Sequence, residues 1–136
     1  MAYSLALITT IADCDALIVS AQRRQRNIQY RKTVQERQYE TATESVTSIE
    51  RTLATTIAEI HVMEAVAAAM PQGLTKKEFE DRLATLKYKR LVQENRKLKY
   101  GVFAVLEKEY MIGSIDKELL EIAGYVDALE ARKLQL

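Results

Sequence analysis

The chain has 136 residues, a length that predicts a single domain. Its 20 Lys and Arg against 19 Asp and Glu leave a formal net charge of +1, which gives no general reason to expect nucleic acid or an anionic membrane as a partner. Hydrophobic residues make up 48% and charged residues 29%, which excludes a disordered chain, and the abundance of Ala, Glu, Lys, Arg, Leu and Gln favours helix.

The first twelve residues are apolar but lack the features of a secretory signal. No basic residue precedes Arg23, and the apolar run stops at Asp13 and Asp15. We also find no apolar stretch of membrane-spanning length, so we expect a cytoplasmic protein without a membrane partner. The single cysteine, Cys14, excludes an intrachain disulfide and agrees with a reducing compartment.

Residues 1–70 contain no glycine or proline and follow one heptad frame without slipping. Sustained periodicity of this kind predicts a coiled-coil helix over about residues 4–70. The a positions are Ser4, Ile11, Ile18, Gln25, Lys32, Tyr39, Val46, Leu53, Ile60 and Ala67. The d positions are Leu7, Cys14, Ala21, Ile28, Gln35, Ala42, Ile49, Thr56, Met63 and Met70.

A turn at residues 71–75 ends this helix, because proline cannot continue the hydrogen-bond ladder and Gly73 can adopt a positive φ. Thr75 and Glu78 have the spacing of a capping box, and Leu74 and Phe79 that of a hydrophobic staple. These signals predict a helical hairpin whose second helix covers about residues 76–134.

The seam that the second helix presents to the first is less regular. It begins as a heptad stripe, Tyr88–Leu91–Asn95–Leu98–Val102–Val105, and continues as a shifted one, Ile115–Leu119–Ile122–Val126–Leu129. Such a shift changes the local supercoil. Residues 113–114, Gly-Ser, lie at the join. We expect a continuous helix bent there, and the alternative is a break with Ser114 capping a third helix.

Blocks of charge support an antiparallel pairing of the two helices. Residues 38–70 hold five acids against one Arg, and residues 76–99 hold nine Lys or Arg against four acids. A fold at Gly73 lays these blocks side by side. The same fold places the basic block 23–37 opposite Glu109, Asp116, Glu118 and Glu121. Exposed ion pairs of this kind select an alignment more than they stabilise it.

Neither residue that suggests chemistry has the partners that chemistry needs. His61 is the only histidine, so a di-iron site built from paired Glu-x-x-His elements is excluded. Cys14 occupies a d position far along the chain from His61, so we interpret it as a small core residue. The sequence therefore predicts no catalytic, cofactor or metal site.

An apolar arc on the second helix exceeds what a two-helix hairpin can cover. It predicts a homodimer in which two hairpins form a four-helix assembly, so we expect an all-α scaffold or protein-interaction module that is not an enzyme. The alternative is a nucleic-acid-associated coiled coil that uses the basic segments 23–37 and 87–99 with interleaved tyrosines. The residues predicted at the dimer interface are Val102, Phe103, Val105, Leu106, Tyr110 and Ile112.

Overall fold

The computed structural model describes residues 2–136, and over that range the chain is helical and contains no strand, as predicted. A 3₁₀ turn at Leu5–Leu7 precedes helix α1, Ile11–Ala69. Helix α2 spans Leu74–Arg96 and continues through a π-helical segment, Lys97–Val102, into helix α3, Phe103–Gln135.

The chain divides into two compact units. The hairpin unit is Tyr39–Glu107 and contains the turn between α1 and α2. The terminal unit combines the chain up to Gln38 with Lys108–Leu136.

Helix α1 begins at Ile11 and not near residue 4 as predicted. Thr10 precedes it, and the Thr10 hydroxyl accepts a hydrogen bond from the backbone amide of Asp13 at 3.2 Å. This is the geometry of an N-cap, which satisfies one of the amide groups that the first turn of a helix leaves unpaired. The heptad frame continues through Thr10, so periodicity alone did not locate the start.

Helix α1 ends at Ala69, two residues before Pro71, in agreement with the predicted turn. The predicted capping box is wrong, since α2 begins at Leu74 with an extended Gly73 at its N-cap and no side-chain cap hydrogen bond. Thr75 therefore lies inside the first turn. The predicted staple is also absent, because Leu74 is 82% exposed.

In the hairpin unit, the buried residues of α1 all occupy predicted heptad positions: Ala42, Ile49, Thr56, Ile60 and Ala67. Thr56 is the polar member of this set. Its hydroxyl donates a hydrogen bond to the Thr52 carbonyl at 3.0 Å, so its burial leaves no polar group unpaired.

The core of the terminal unit contains α1 residues from the same heptad frame, packed with residues of α3. Ile28, Ile115 and Ile122 form one cluster, against which Leu119 and Val126 pack. The other buried apolar residues of this unit are Cys14, Ile18, Ala21 and Leu129.

The irregularity in the second helical stretch lies at Lys97–Val102 and not at residues 113–114, where a bend was expected. Helix α3 passes through Gly113 without interruption. A π turn holds one residue more than an α turn, so it rotates the following side chains relative to the preceding ones. The π-helical segment therefore offsets the residues that follow it by one position relative to the residues that precede it.

Candidate interaction surface

Two ion pairs connect the helices of the hairpin unit. Lys87 Nζ lies 3.4 Å from Glu64 Oε1, and Lys97 Nζ lies 3.2 Å from Glu50 Oε1. In each pair, an acid of α1 contacts a lysine of the second helical stretch. These contacts confirm that the acidic block 38–70 faces the basic block 76–99.

The face of α2 turned toward α1 becomes polar along its length. Its half-buried residues recur at alternating steps of three and four: Phe79, Leu83, Leu86, Arg90, Gln93 and Lys97. Long basic side chains tolerate such positions because their aliphatic stems pack while the charged ends reach outward. Here the end of Lys97 reaches Glu50. We call this row the inner face of α2.

The opposite side of α2 carries the heptad stripe that the sequence predicted as the seam of the hairpin. That prediction is wrong, because Tyr88 is 69%, Leu91 52% and Leu98 48% exposed. Asn95 lies between the two leucines and is also exposed. The hairpin packs through the half-polar inner face, which leaves the more apolar stripe outside.

The π-helical segment determines which residues after Leu98 lie on the same side as this stripe. Because it inserts one residue, Val102 and Val105 turn inward and are half-buried. Phe103 and Leu106, each one position later, take the outward places and are 55% and 56% exposed. We call the row Tyr88, Leu91, Asn95, Leu98, Phe103 and Leu106 the outer face.

The predicted interface residues therefore fall into two groups. In the hairpin unit, Phe103 and Leu106 are exposed, whereas Val102 and Val105 pack within the chain. In the terminal unit, Tyr110 is exposed and Ile112 is half-buried. The sequence pattern did not predict that Tyr88, Leu91 and Leu98 lie on the surface.

In the terminal unit, the basic block 23–37 meets acids of α3 as expected. Arg24 Nη2 lies 3.3 Å from Glu118 Oε1, and Lys32 Nζ lies 2.7 Å from Asp116 Oδ1. The hydrogen bond to Asp116 raises the pKa of Lys32 above its ordinary value. These cations are engaged within the chain.

An N-terminal segment, residues 3–8, packs on α3 in the terminal unit, which the sequence analysis did not predict. The Tyr3 ring lies 4.9 Å from that of Tyr125, centroid to centroid, and its hydroxyl donates a hydrogen bond to Glu121. Farther along, Nε and Nη2 of Arg132 donate to the Ile8 carbonyl at 3.2 and 2.9 Å. The Thr10–Asp13 spacing at the start of α1 was the sequence signal that this segment lies outside the helix.

The two residues considered as candidates for catalysis or metal binding lie in different units. Cys14 is a free, fully buried thiol in the terminal unit, and His61 is exposed in the hairpin unit. Within residues 2–136, no three His, Cys, Asp or Glu side chains form a group able to hold a metal ion. A shallow groove of about 470 Å³ in the hairpin unit is lined by Thr55, Ala58, Glu59, Val62, Met63 and Leu86.

By length and composition alone, α1 qualifies as a helix able to cross a membrane, a criterion that core helices of soluble proteins also meet. The expectation that no stretch of the chain reaches this threshold is therefore wrong, because one 18-residue window of α1 combines high mean hydropathy with at most two charged residues. The absence of a membrane partner stays a prediction.

No family model, no curated protein and no solved structure matches this chain.

Proposed function

We propose that this protein is a coiled-coil scaffold, or protein-interaction module, that acts as a homodimer and catalyses no reaction. In this proposal each chain folds as an antiparallel coiled-coil hairpin, and two hairpins pair into a four-helix arrangement. We place this role in the cytoplasm.

The observation that carries the proposal is that the second helical stretch turns several polar side chains inward and its large apolar side chains outward. Arg90, Gln93 and Lys97 lie on its inner face, whereas large apolar side chains lie on the outer face. Leaving a large apolar side chain in water forgoes roughly 1.5–3 kcal/mol relative to full burial. Five such side chains in one row form a contiguous patch of the kind that marks a protein–protein contact.

We propose that a helix of a second chain packs on this patch and buries it. From Tyr88 to Leu98 the outer face keeps heptad spacing, and side chains at that spacing pack into the spaces between those of a facing helix. Two hairpins joined in this way contain four helices, and a twofold axis is the commonest way to join identical chains. The proposal therefore requires no component besides the chain itself.

The nucleic-acid alternative is supported by a different observation on the same helix. Tyr88 and Tyr100 are exposed and lie next to Lys89 and Lys99, which are also exposed. Aromatic side chains beside cations suit stacked bases and phosphates. Against this reading, Lys87 and Lys97 are already paired with acids of α1.

Static light scattering coupled to gel filtration tests the proposal directly. We expect a mass of two chains at micromolar concentration, and a single-chain mass would refute the dimer. A mobility-shift titration tests the alternative, because phosphate contacts weaken steeply with added salt. Tight, salt-sensitive binding by the wild-type chain, lost on reversing the charges of Lys89 and Lys99, would favour the nucleic-acid function.

A further inference from the structure

We infer that the outer face, from Tyr88 to Leu106, is the dimer interface and that it pairs with the outer face of a second copy in parallel and in register. This inference rests on the proposed homodimer and specifies its geometry. It follows from the order of residues on the outer face, from the polar residue at its centre and from the charges that flank it.

The residue order matches the preference of a two-stranded parallel coiled coil. With Tyr88 and Asn95 at a positions, Leu91 and Leu98 fall at d positions. Leucine at d together with a single asparagine at an a position is typical of two-stranded parallel coiled coils. The π-helical segment then brings Phe103 and Leu106 into the same row, since both are exposed while Val102 and Val105 are half-buried. The apolar row thus extends over the hairpin unit from Tyr88 to Leu106.

Asn95 indicates that the partner of the outer face is a second copy of this chain. A single asparagine at an a position specifies register and partner number, because its amide is satisfied by the same residue across the axis. Parallel, in-register pairing places Asn95 opposite Asn95. In an antiparallel pair an a position faces a d position, so the amide would lie against Leu91 or Leu98 without a polar partner.

The flanking charges are complementary to those of a second copy. Glu94 occupies a g position and Lys99 the following e position, which is the pair that meets between parallel chains. Glu94 already accepts a hydrogen bond from Arg90 Nε at 3.0 Å through one oxygen, which positions its carboxylate. The basic residues Lys87 and Lys97 pair with acids of their own chain, which reduces the repulsion between two basic segments.

Disulfide trapping tests the register. In a Cys14→Ala background, Tyr88→Cys places one thiol at an a position, and Lys89→Cys places one at the adjacent b position. Parallel pairing brings only the first within disulfide reach of its copy. We expect Tyr88→Cys to form covalent dimer at least about tenfold faster than the Lys89→Cys control under mild oxidation.

The outcomes separate this inference from the proposed function. A dimer by light scattering in which Tyr88→Cys crosslinks no faster than Lys89→Cys would overturn the interface and leave the homodimer standing. Faster crosslinking in an equimolar mixture of Tyr88→Cys and Leu98→Cys than in either alone would show antiparallel pairing, which also overturns it. A monomer would refute both. If circular dichroism shows that Tyr88→Cys has lost helix, Leu91→Cys at a d position with Val92→Cys as control makes the same comparison.

Discussion

A Cβ atom placed on Gly101 would lie 2.7 Å from Cγ2 of Val46 and 3.7 Å from the Val46 Cα. Gly101 is buried within the π-helical segment, and Val46 is at an a position of α1. The missing side chain therefore permits a close approach of the two backbones at the place where the heptad frame shifts. A wider residue at 101 would separate the helices where the inner face must change its register.

The variant Gly101→Ala should lower the stability of the folded chain. Overpacking of this kind costs about 1–3 kcal/mol. The replacement of glycine in a helix returns roughly 0.5–1 kcal/mol. Because the clash involves the stiff side chain of a valine, we expect a net loss of about 1 kcal/mol. Urea denaturation monitored by circular dichroism measures it.

Two variants serve as controls. Gly113→Ala changes a helical glycine whose Cβ would meet nothing within 4 Å, so it should raise stability. Adding Val46→Ala to Gly101→Ala removes the clashing methyl groups and should recover part of the loss. A Gly101→Ala variant that gains as much stability as Gly113→Ala would show that the helices do not approach closely at this point.

The position of Gly101 also shows what the sequence could and could not predict. The heptad frame of α1 correctly predicted the buried residues of each unit, since one apolar stripe on a long helix has one way to face inward. The second helical stretch carries two competing stripes, and local periodicity ranks the more apolar one first. The hairpin instead packs through Arg90, Gln93 and Lys97, because charge pairing and close approach at Gly101 select that face.

The residues of the candidate interaction surface were also predicted only in part. The sequence predicted Phe103 and Leu106 as interface residues, and both are exposed. The prediction also placed Val102 and Val105 at the interface, although both are half-buried within the chain. In a continuous apolar run, the sequence does not show where a π insertion turns one residue inward and its neighbour outward. The N-terminal segment was missed for another reason, since its contacts with Tyr125 and Arg132 join residues more than a hundred positions apart.

Removing the donors of Arg132 should release the N-terminal segment. In Arg132→Leu the aliphatic bulk stays, but the two hydrogen bonds to the Ile8 carbonyl are lost. The amides of Leu7 and Ile8 are held by local turn hydrogen bonds that depend on this anchoring. Hydrogen exchange measured by mass spectrometry should accelerate in residues 3–8, and the control Lys117→Leu should leave it unchanged. Equal exchange in both variants would contradict the anchoring role.

Alkaline pH should loosen the terminal unit. The hydrogen bond to Glu121 raises the pKa of Tyr3 above its ordinary 10.0, and hydrogen bonds to Asp116 and Asp15 raise the pKa of Lys32 and of Lys133 above 10.5. A raised pKa means that the folded state holds the proton more tightly, so this stabilisation is complete below the ordinary values and disappears as pH rises through the raised ones.

Thermal unfolding followed by circular dichroism should therefore show a falling midpoint above about pH 10. Replacing Lys32 and Lys133 by Arg keeps the positive charge at these pH values, so the double variant should lose less stability over the same interval. A pH dependence identical to that of the wild type would mean that other groups cause the alkaline loss.

Introducing acid into the outer face should dissociate the dimer. The double variant Phe103→Glu with Leu106→Glu removes two large apolar side chains from each chain and so four from the dimer. Each is already nearly half-buried in the single chain, so dimerisation gains about half of the roughly 1.5–3 kcal/mol of full burial for each one. Dissociation should therefore become roughly 10²–10⁴-fold more favourable. Sedimentation measures the monomer fraction, and circular dichroism should show that the helix content persists. Leu120→Glu, at an exposed leucine of the terminal unit, is the control and should remain dimeric.

Replacing Asn95 should change the number of chains in the assembly and strengthen it. In a parallel pair, the self-paired amide costs stability but limits the number of strands to two. Asn95→Leu removes that restriction and adds apolar contact, so the complex should resist dilution better and should include species larger than a dimer. Light scattering across a dilution series measures both effects. Asn27→Leu, at an exposed asparagine of α1, controls for the general effect of added leucine. An Asn95→Leu variant that dissociates more readily than the wild type would place this residue outside a helix–helix core.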